Sequence, residues 1–120
     1  NHLKIAIPMD ENQKNVCVSF GRAPYFLFHD TDTNTAELLS NPAASATGGA
    51  GIQAAQFAVD NGANALITVR LGQNAADVLL AADIKVYKAA QGSAEENLAS
   101  FSQGKLQALE SFHPGFHGNV

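Results

Sequence analysis

In the second half of the chain, helical patterns of apolar residues alternate with short strand-like apolar runs. This alternation constrains the fold more than any other feature. From Gly51 onward, apolar residues recur three or four positions apart, as they do on one face of a helix. The short apolar runs ALITV (65–69) and IKVYKA (84–89) each precede another helical pattern. Strands joined through single helices pair in parallel by right-handed crossovers. This half therefore predicts a parallel sheet with crossover helices.

The first half contains strand patterns only. LKIAIPM (3–9) and the aromatic-rich YFLFHDT (25–31) are typical of buried strands, and AELLS (36–40) can pair back as a hairpin. The expected order is β-β-β-α-β-α-β-α, which makes one three-layer α/β domain with a mixed sheet. We assign residues 1–112 to this domain and expect the His- and Gly-containing tail, residues 113–120, to be flexible.

The first predicted helix carries a recurrent apolar face. Ile52, Ala55, Ala58 and Val59 share one side of it, so we expect them to face the core together. Gly62 follows as a helix stop, because glycine readily takes the left-handed conformation that ends many helices.

Polar residues mark the starts of the other two helices. Asn74 is expected to cap the second helix, since an asparagine side chain can accept a bond from the first turn. Ser93 and Glu96 have the spacing of a capping box, which predicts the start of the third helix.

Charge and cysteine content limit the function classes. Seven basic and eleven acidic residues give a formal charge of −4, which argues against binding to a nucleic-acid backbone. Cys17 is the single cysteine and cannot form an internal disulfide, as is typical of the reducing cytoplasm. No apolar run approaches the roughly 18 residues of a membrane span. Small ligands and proteins are the expected partners, with neither nucleic acid nor a membrane.

Three segments are candidates to converge on one ligand. Ligands of open α/β sheets bind beyond the carboxyl ends of the strands, near helix N-termini. The glycine-rich TGGAG (47–51) is either an anion cradle at a helix start or a plain connection. VRLGQNA (69–75) carries Arg70, which offers a cation to the site or forms a surface salt bridge, and Arg22 stands just before the second strand. Together they would make a cationic site within an acidic protein.

Other reactive residues leave alternatives open. Asp10 and Glu11 end the first strand, where they either bind a metal or are simply solvated. His29 is a structural residue or a ligand. Cys17 is an inert thiol, or a thiolate ligand if Arg22 or a helix end lowers its pKa.

The tail contains two histidines four positions apart, His113 and His117. Pro114 and Gly115 lie between them and disfavour a helix, so the spacing does not indicate a helical metal pair. A turn could still bring both imidazoles to a soft or borderline metal; the alternative is a loose terminus.

Four segments across residues 3–105 follow one another in the order KIAIPMDEN, FGRAPYFLF, GGAGIQAAQFAVDNGANALIT and LGQNAADVLLAADIKVY. In sequence and in order, these segments together resemble the dinitrogenase iron–molybdenum cofactor biosynthesis family. The resemblance implies a ribonuclease H-like fold, with a mixed five-stranded sheet and flanking helices. It also implies non-enzymatic binding or carrying of an anionic metal–sulfur cluster, of iron–molybdenum or molybdenum–copper type, or of its precursor. A protein that donates or accepts the cofactor is the implied partner.

On this interpretation two groups of residues form the site, and none is catalytic. The expected anion cradle comprises Ser19, Gly21, Arg22, Gly48, Gly49, Gly51, Arg70, Gly72 and Asn74. The expected metal ligands are Cys17, His113 and His117. Many relatives read approximately S-x-H-F-G-R, so Ser19 stands where they offer a histidine.

Two other function classes remain open from the sequence. The chain could be a regulatory module that binds phosphate, a nucleotide or a protein. It could also be a hydrolase that uses Asp10 and Glu11 with a divalent ion, although a ribonuclease H-like scaffold does not by itself imply that activity.

Overall fold

The structure, a computed structural model, describes residues 3–90 and 92–113. The strands are β1 (Lys4–Met9), β2 (Tyr25–Asp30), β3 (Thr35–Ser40), β4 (Ala65–Thr68) and β5 (Lys85–Lys88). The helices are α1 (Ala50–Asp60), α2 (Gln73–Ala81) and α3 (Ala94–Ser102), and a short 3₁₀ helix spans Pro42–Ser45. The predicted order of strands and α-helices is confirmed. No helix in the described ranges has the length and apolar character needed to cross a membrane.

The five strands form one mixed sheet in the order β3-β2-β1-β4-β5. β2 runs antiparallel to both β1 and β3, whereas β1, β4 and β5 are parallel. Helices α1 and α2 pack on one face of the sheet and α3 packs on the other. β1 is buried from Ile5 to Met9, which explains its unbroken apolar run. The ribonuclease H-like three-layer fold expected from the resemblance is confirmed.

The strand register brings several connections to one edge of the sheet. Met9, the last residue of β1, lies opposite Tyr25, the first residue of β2. Ser40, the last residue of β3, also lies opposite Tyr25. β4 is parallel to β1 and ends on the same side. The segments after β1, β3 and β4, and the segment before β2, therefore meet at what we call the carboxyl edge.

Pro8 limits the pairing between β1 and β4 near this edge. β1 pairs with β4 only at Ile5 and Ala6, and Pro8 has no N–H with which to continue the ladder. The carbonyl of Pro8 instead accepts a hydrogen bond from the backbone of Cys17 at 2.8 Å. This hydrogen bond holds the segment before β2 beside the end of β1.

The predicted inner face of α1 is wrong at one position. The helix buries Ala50, Ala54, Ala55 and Ala58, but Ile52 is 45% exposed. Ile52 belongs to the first turn of α1, which reaches the carboxyl edge, and its side chain lines a cavity there instead of packing on the sheet.

The predicted cap of α2 is also wrong, whereas the other helix boundaries are confirmed. α2 begins at Gln73 after an extended Gly72, with no side-chain cap, so Asn74 lies inside the first turn. The reason is tertiary: the backbone N–H of Gln73 donates to the carbonyl of His113 at 2.8 Å, which holds the chain extended up to that residue. The capping box at α3 is formed, and Gly62 has a φ of 78° just after α1.

Candidate functional site

A cavity of about 450 Å³ lies at the carboxyl edge. Three segments line it, from Val18 to Arg22, from Thr47 to Ile52 and from Arg70 to Ala75, and His113 joins them. The structure thus brings together Ser19, Gly21, Arg22, Gly48, Gly49, Gly51, Arg70, Gly72 and Asn74, all of which line the cavity. Its volume falls within the range of small-molecule sites.

The loop before β2 is fixed from both sides. Phe20 is only 4% exposed and packs edge-on against Phe26, with ring centroids 5.4 Å apart. Next to it, Gly21 comes so close to the first turn of α1 that a Cβ atom there would lie 2.9 Å from the backbone nitrogen of Gly51. Only glycine permits this approach without a shift of backbone.

Arg22 contributes both to the loop structure and to the charge of the cavity. Its Nη1 donates to the carbonyls of Ala44, at 3.2 Å, and of Ala46. Its backbone N–H donates to Oγ of Ser19 at 3.0 Å, so the serine hydroxyl closes the turn. The guanidinium is exposed and makes no other hydrogen bond within the described ranges.

Asn41 is a supporting residue that the sequence analysis did not single out. It is 5% exposed, and its Nδ2 donates to the carbonyls of Gly21, at 3.1 Å, and Ala23, at 2.8 Å. Its Oδ1 accepts the backbone N–H of Ala43 at 3.0 Å. Asparagine followed by proline is a helix-start signal, and it could have identified this cap of the 3₁₀ helix.

Two helices start at the cavity without side-chain caps. α1 begins after Gly49, which has a φ of 67°, and α2 begins after Gly72. A Cβ atom on Gly51 would lie 3.5 Å from the Cβ of Ala75, so the two starts are neighbours. Neither first turn contains an acidic residue. First-turn N–H groups lack intrahelical acceptors and carry the positive end of the helix dipole, so both starts favour an anion.

The ionisable side chains that line the cavity in the described part of the chain are those of Arg22, Arg70 and His113. Arg70 is exposed, and its side chain forms no hydrogen bond with residues of the described ranges. No aspartate or glutamate is found among the lining residues of those ranges. A locally positive cavity is thus set into a chain with a formal charge of −4.

Cys17 is not one of the residues that line this cavity. Burial raises the pKa of its thiol, and a hydrogen bond to Asp10 and the charge of that carboxylate raise it further. The condition for a thiolate ligand, a pKa lowered by Arg22 or a helix end, is therefore not met. A raised pKa keeps the thiol protonated at neutral pH, so a metal would have to displace its proton. Its role as a ligand stays a prediction.

His113 is held against α2 by backbone pairing. Its N–H donates to the carbonyl of Leu71 at 3.2 Å, and its carbonyl accepts from Gln73. The ring occupies the space beside Gly72, where a Cβ atom would lie 3.0 Å from Cε1 of the imidazole. His117 lies outside the described residues.

The remaining candidates lie away from this cavity. His29, on β2, lines a second groove of about 720 Å³ between α3 and the β2–β3 hairpin, together with Lys14 and Glu95. Asp10 and Glu11 follow β1. Within residues 3–90 and 92–113, no three side chains of the His, Cys, Asp and Glu types are grouped so that they could hold a metal ion.

Comparisons with known proteins identify related sequences and folds. A family model described as dinitrogenase iron-molybdenum cofactor matches residues 1–104. An uncharacterized protein from Methanocaldococcus jannaschii is 32% identical over 111 residues, which span 90% of this chain and 92% of that protein.

Two solved structures are similar in both sequence and fold. A Thermotoga protein provisionally described as NifB is 35% identical with a TM-score of 0.78, covering 92% of this chain and 96% of its own. The apo form of the orange protein from Desulfovibrio gigas is 31% identical with a TM-score of 0.84, covering 91% of this chain and 94% of its own.

Proposed function

The chain belongs to the dinitrogenase iron-molybdenum cofactor family, and from this premise we propose that its cavity binds and carries an anionic metal–sulfur cluster or a precursor of one. The cargo is of iron–molybdenum or molybdenum–copper type, and the protein does not transform it chemically. A second protein donates or accepts the cargo, and the exchange takes place in the reducing cytoplasm.

One observation carries the proposal: a cavity without lining carboxylates in the described ranges combines two arginines with two helix starts that lack side-chain caps. A metal–sulfide anion spreads several negative charges over its sulfur atoms. Guanidinium and backbone N–H groups can donate to such an anion from several directions at once. A concave positive site also concentrates anions around a protein whose overall charge would repel them.

The cavity residues have different roles in binding. Arg70 has no other hydrogen-bond partner in the described ranges, so its charge is available to the anion, whereas Arg22 also holds the loop around Ala46. The glycines allow a ligand to approach the backbone N–H groups closely. Val18 and Ile52, 58% and 45% exposed, add apolar surface at the same cavity and can contact the polarisable sulfur atoms.

Binding and release of this kind require no proton transfer or covalent step within the protein. Charge complementarity holds the anionic cargo in the cavity. The cargo is released when the second protein accepts it. A carrier therefore fits the arrangement better than an enzyme does.

The test is an anaerobic titration of the protein with tetrathiomolybdate, followed by absorbance and by metal retained after gel filtration. We expect about one equivalent to be retained. Arg70→Ala should weaken binding by about tenfold, which corresponds to about 1.4 kcal/mol. Lys14→Ala is the matched control, because it removes the same charge from an exposed residue at the second groove.

Two results would overturn the proposal. One is a wild type that retains neither molybdenum from tetrathiomolybdate nor iron after reconstitution with iron and sulfide. The other is an equal loss in Arg70→Ala and Lys14→Ala, which would indicate attraction to overall charge. Inorganic phosphate that competes at equal concentration would instead support the alternative of an ordinary anion-binding module.

A further inference from the structure

The last described segment, residues 105–113, forms a strap along the outer side of β5; we call it the C-terminal strap. The backbone N–H of Lys88 donates to the carbonyl of Gln107 at 2.7 Å, and the N–H of Leu109 donates to the carbonyl of Val86 at 3.0 Å. These bonds, on either side of a bridge between Tyr87 and Ala108, pair the strap with the sheet edge.

Apolar side chains anchor the strap on both faces of the sheet. Leu106 packs against the core cluster on the α3 side, whereas Leu109 and Phe112 pack against the cluster beneath α1 and α2. The strap thus passes from one layer to the other. Its path ends at the start of α2, where His113 pairs with the backbone of Leu71 and Gln73.

The position of His113 is defined by Gly72. The imidazole lies beside this residue, and any larger residue there would crowd the ring at 3.0 Å. His113 lines the same cavity as Arg22 and Arg70, although it is distant from both in sequence. An imidazole is thereby supplied to the cavity by tertiary packing.

Metal coordination is the chemistry that His113 adds. Arginine stays protonated and has no lone pair for a metal, and hydroxyl groups such as those of Ser19 and Thr47 are poor donors to soft or borderline metals. Among the lining residues of the described ranges, His113 alone carries an aromatic nitrogen donor. We propose that His113 coordinates a metal of the bound cargo, so that retention of the cargo depends on the C-terminal strap.

The coordination step is a simple ligand exchange. One ring nitrogen that carries no proton donates its lone pair to the metal at a position that no sulfide occupies, and a water or other small ligand held there leaves. No oxidation state changes and no proton is transferred. Copper(I) bound to sulfides is a suitable metal, because it can retain an open position that imidazole can fill.

This inference rests on the proposed function, and the test separates the two. Tetrathiomolybdate alone measures the cationic cradle, whereas tetrathiomolybdate with anaerobic copper(I) measures the added metal bond. We expect copper to strengthen retention at least tenfold in the wild type. His113→Ala and His113→Gln should lose this gain but still bind tetrathiomolybdate alone. X-ray absorption at the copper edge should detect a nitrogen donor in the wild type that both variants lack.

His29→Ala is the matched control, since it removes an imidazole from the second groove and should keep the copper gain. Thermal unfolding of each variant identifies any general loss of structure. A wild type that binds neither form would overturn both proposals. If tetrathiomolybdate binds but copper adds nothing, or if His113→Gln keeps the gain, this inference fails while the cationic cradle stands.

Discussion

Helix α3 and the pair α1 and α2 begin in opposite ways. At α3, Oγ of Ser93 accepts the N–H of Glu96, and the Glu96 carboxylate accepts the N–H of Ser93, each at 3.0 Å. Glu95 adds a second negative charge to that first turn. α1 and α2 instead start after Gly49 and Gly72, with no side-chain cap and no acidic residue in the first turn.

The start of α3 is stabilised by its own side chains, whereas the starts of α1 and α2 leave backbone donors available to a ligand. The capping box satisfies N–H groups of α3 internally and places negative charge at its positive end. The starts of α1 and α2 keep donors and positive potential at a shared cavity. α3 is therefore stabilised locally, whereas α1 and α2 depend on tertiary packing.

The largest expected effect comes from Gly21, which allows the loop before β2 to pack closely against the start of α1. Gly21→Ala should destabilise the fold by about 1–3 kcal/mol, because the new Cβ would lie 2.9 Å from backbone atoms that cannot rotate away. Urea unfolding measures the change. Gly48→Ala, on the same cavity but with open space around it, should stay within about 0.5 kcal/mol. Equal stabilities of the two variants would contradict the tight contact.

A smaller effect follows from giving α1 the kind of start that α3 has. Ile52 occupies the third position of α1, as Glu96 does in α3, and its side chain is already partly exposed. Ile52→Glu should stabilise the helix by about 0.3–1 kcal/mol and weaken tetrathiomolybdate binding severalfold, since the carboxylate competes with the anion for the same positive end.

Ile52→Gln is the control for this change, because it has the same size without the charge. For Ile52→Glu the thermal stability should rise while the affinity for the anion falls; Ile52→Gln loses only the apolar contact and should weaken binding less. Ser93→Ala makes the reverse change at α3; it should cost about 1 kcal/mol of stability and leave anion binding unaltered. Tighter binding by Ile52→Glu would show that helix polarity does not govern this cavity.

The smallest effect concerns Cys17, which does not line the cavity and interacts with Asp10. Because burial and Asp10 raise the pKa of this thiol, its alkylation by iodoacetamide should reach half-maximal rate at a higher pH than that of free cysteine. Asp10→Asn removes the charge of this carboxylate, so it should shift this midpoint downward, though burial keeps it raised. A midpoint below that of free cysteine would contradict the assigned surroundings.

The raised pKa of the Cys17 thiol also determines how its contribution to folding stability changes with pH. The folded-state pKa of Cys17 lies above its unfolded value, so the folded state binds the proton more tightly. The associated stability is fully present below the unfolded pKa and is lost as the pH rises through the folded pKa. Cys17→Ser should remove this alkaline dependence, as unfolding measured across that range would show.

Local patterns predicted the elements correctly but failed where distant segments meet. The buried run of β1 and the capping box of Ser93 depend on neighbours in sequence, so both could be predicted. The exposure of Ile52 and the early start of α2 before Asn74 depend on the cavity and on His113. The hydrogen bond from Asn41 to the carbonyl of Gly21 spans twenty residues, so no local pattern predicts it.

The sequence by itself determined the element order, the mixed three-layer fold and the three segments that were candidates for a ligand site. These follow from apolar periodicity, turn residues and helix-boundary signals, all of which act over a few positions. Tertiary structure decided that the arginines share a cavity with His113, that Cys17 lies outside it beside Asp10, and that the starts of α1 and α2 are neighbours. The reason is that charge, burial and metal geometry depend on distances between segments, and only the strand register and the path of the C-terminal strap set those distances.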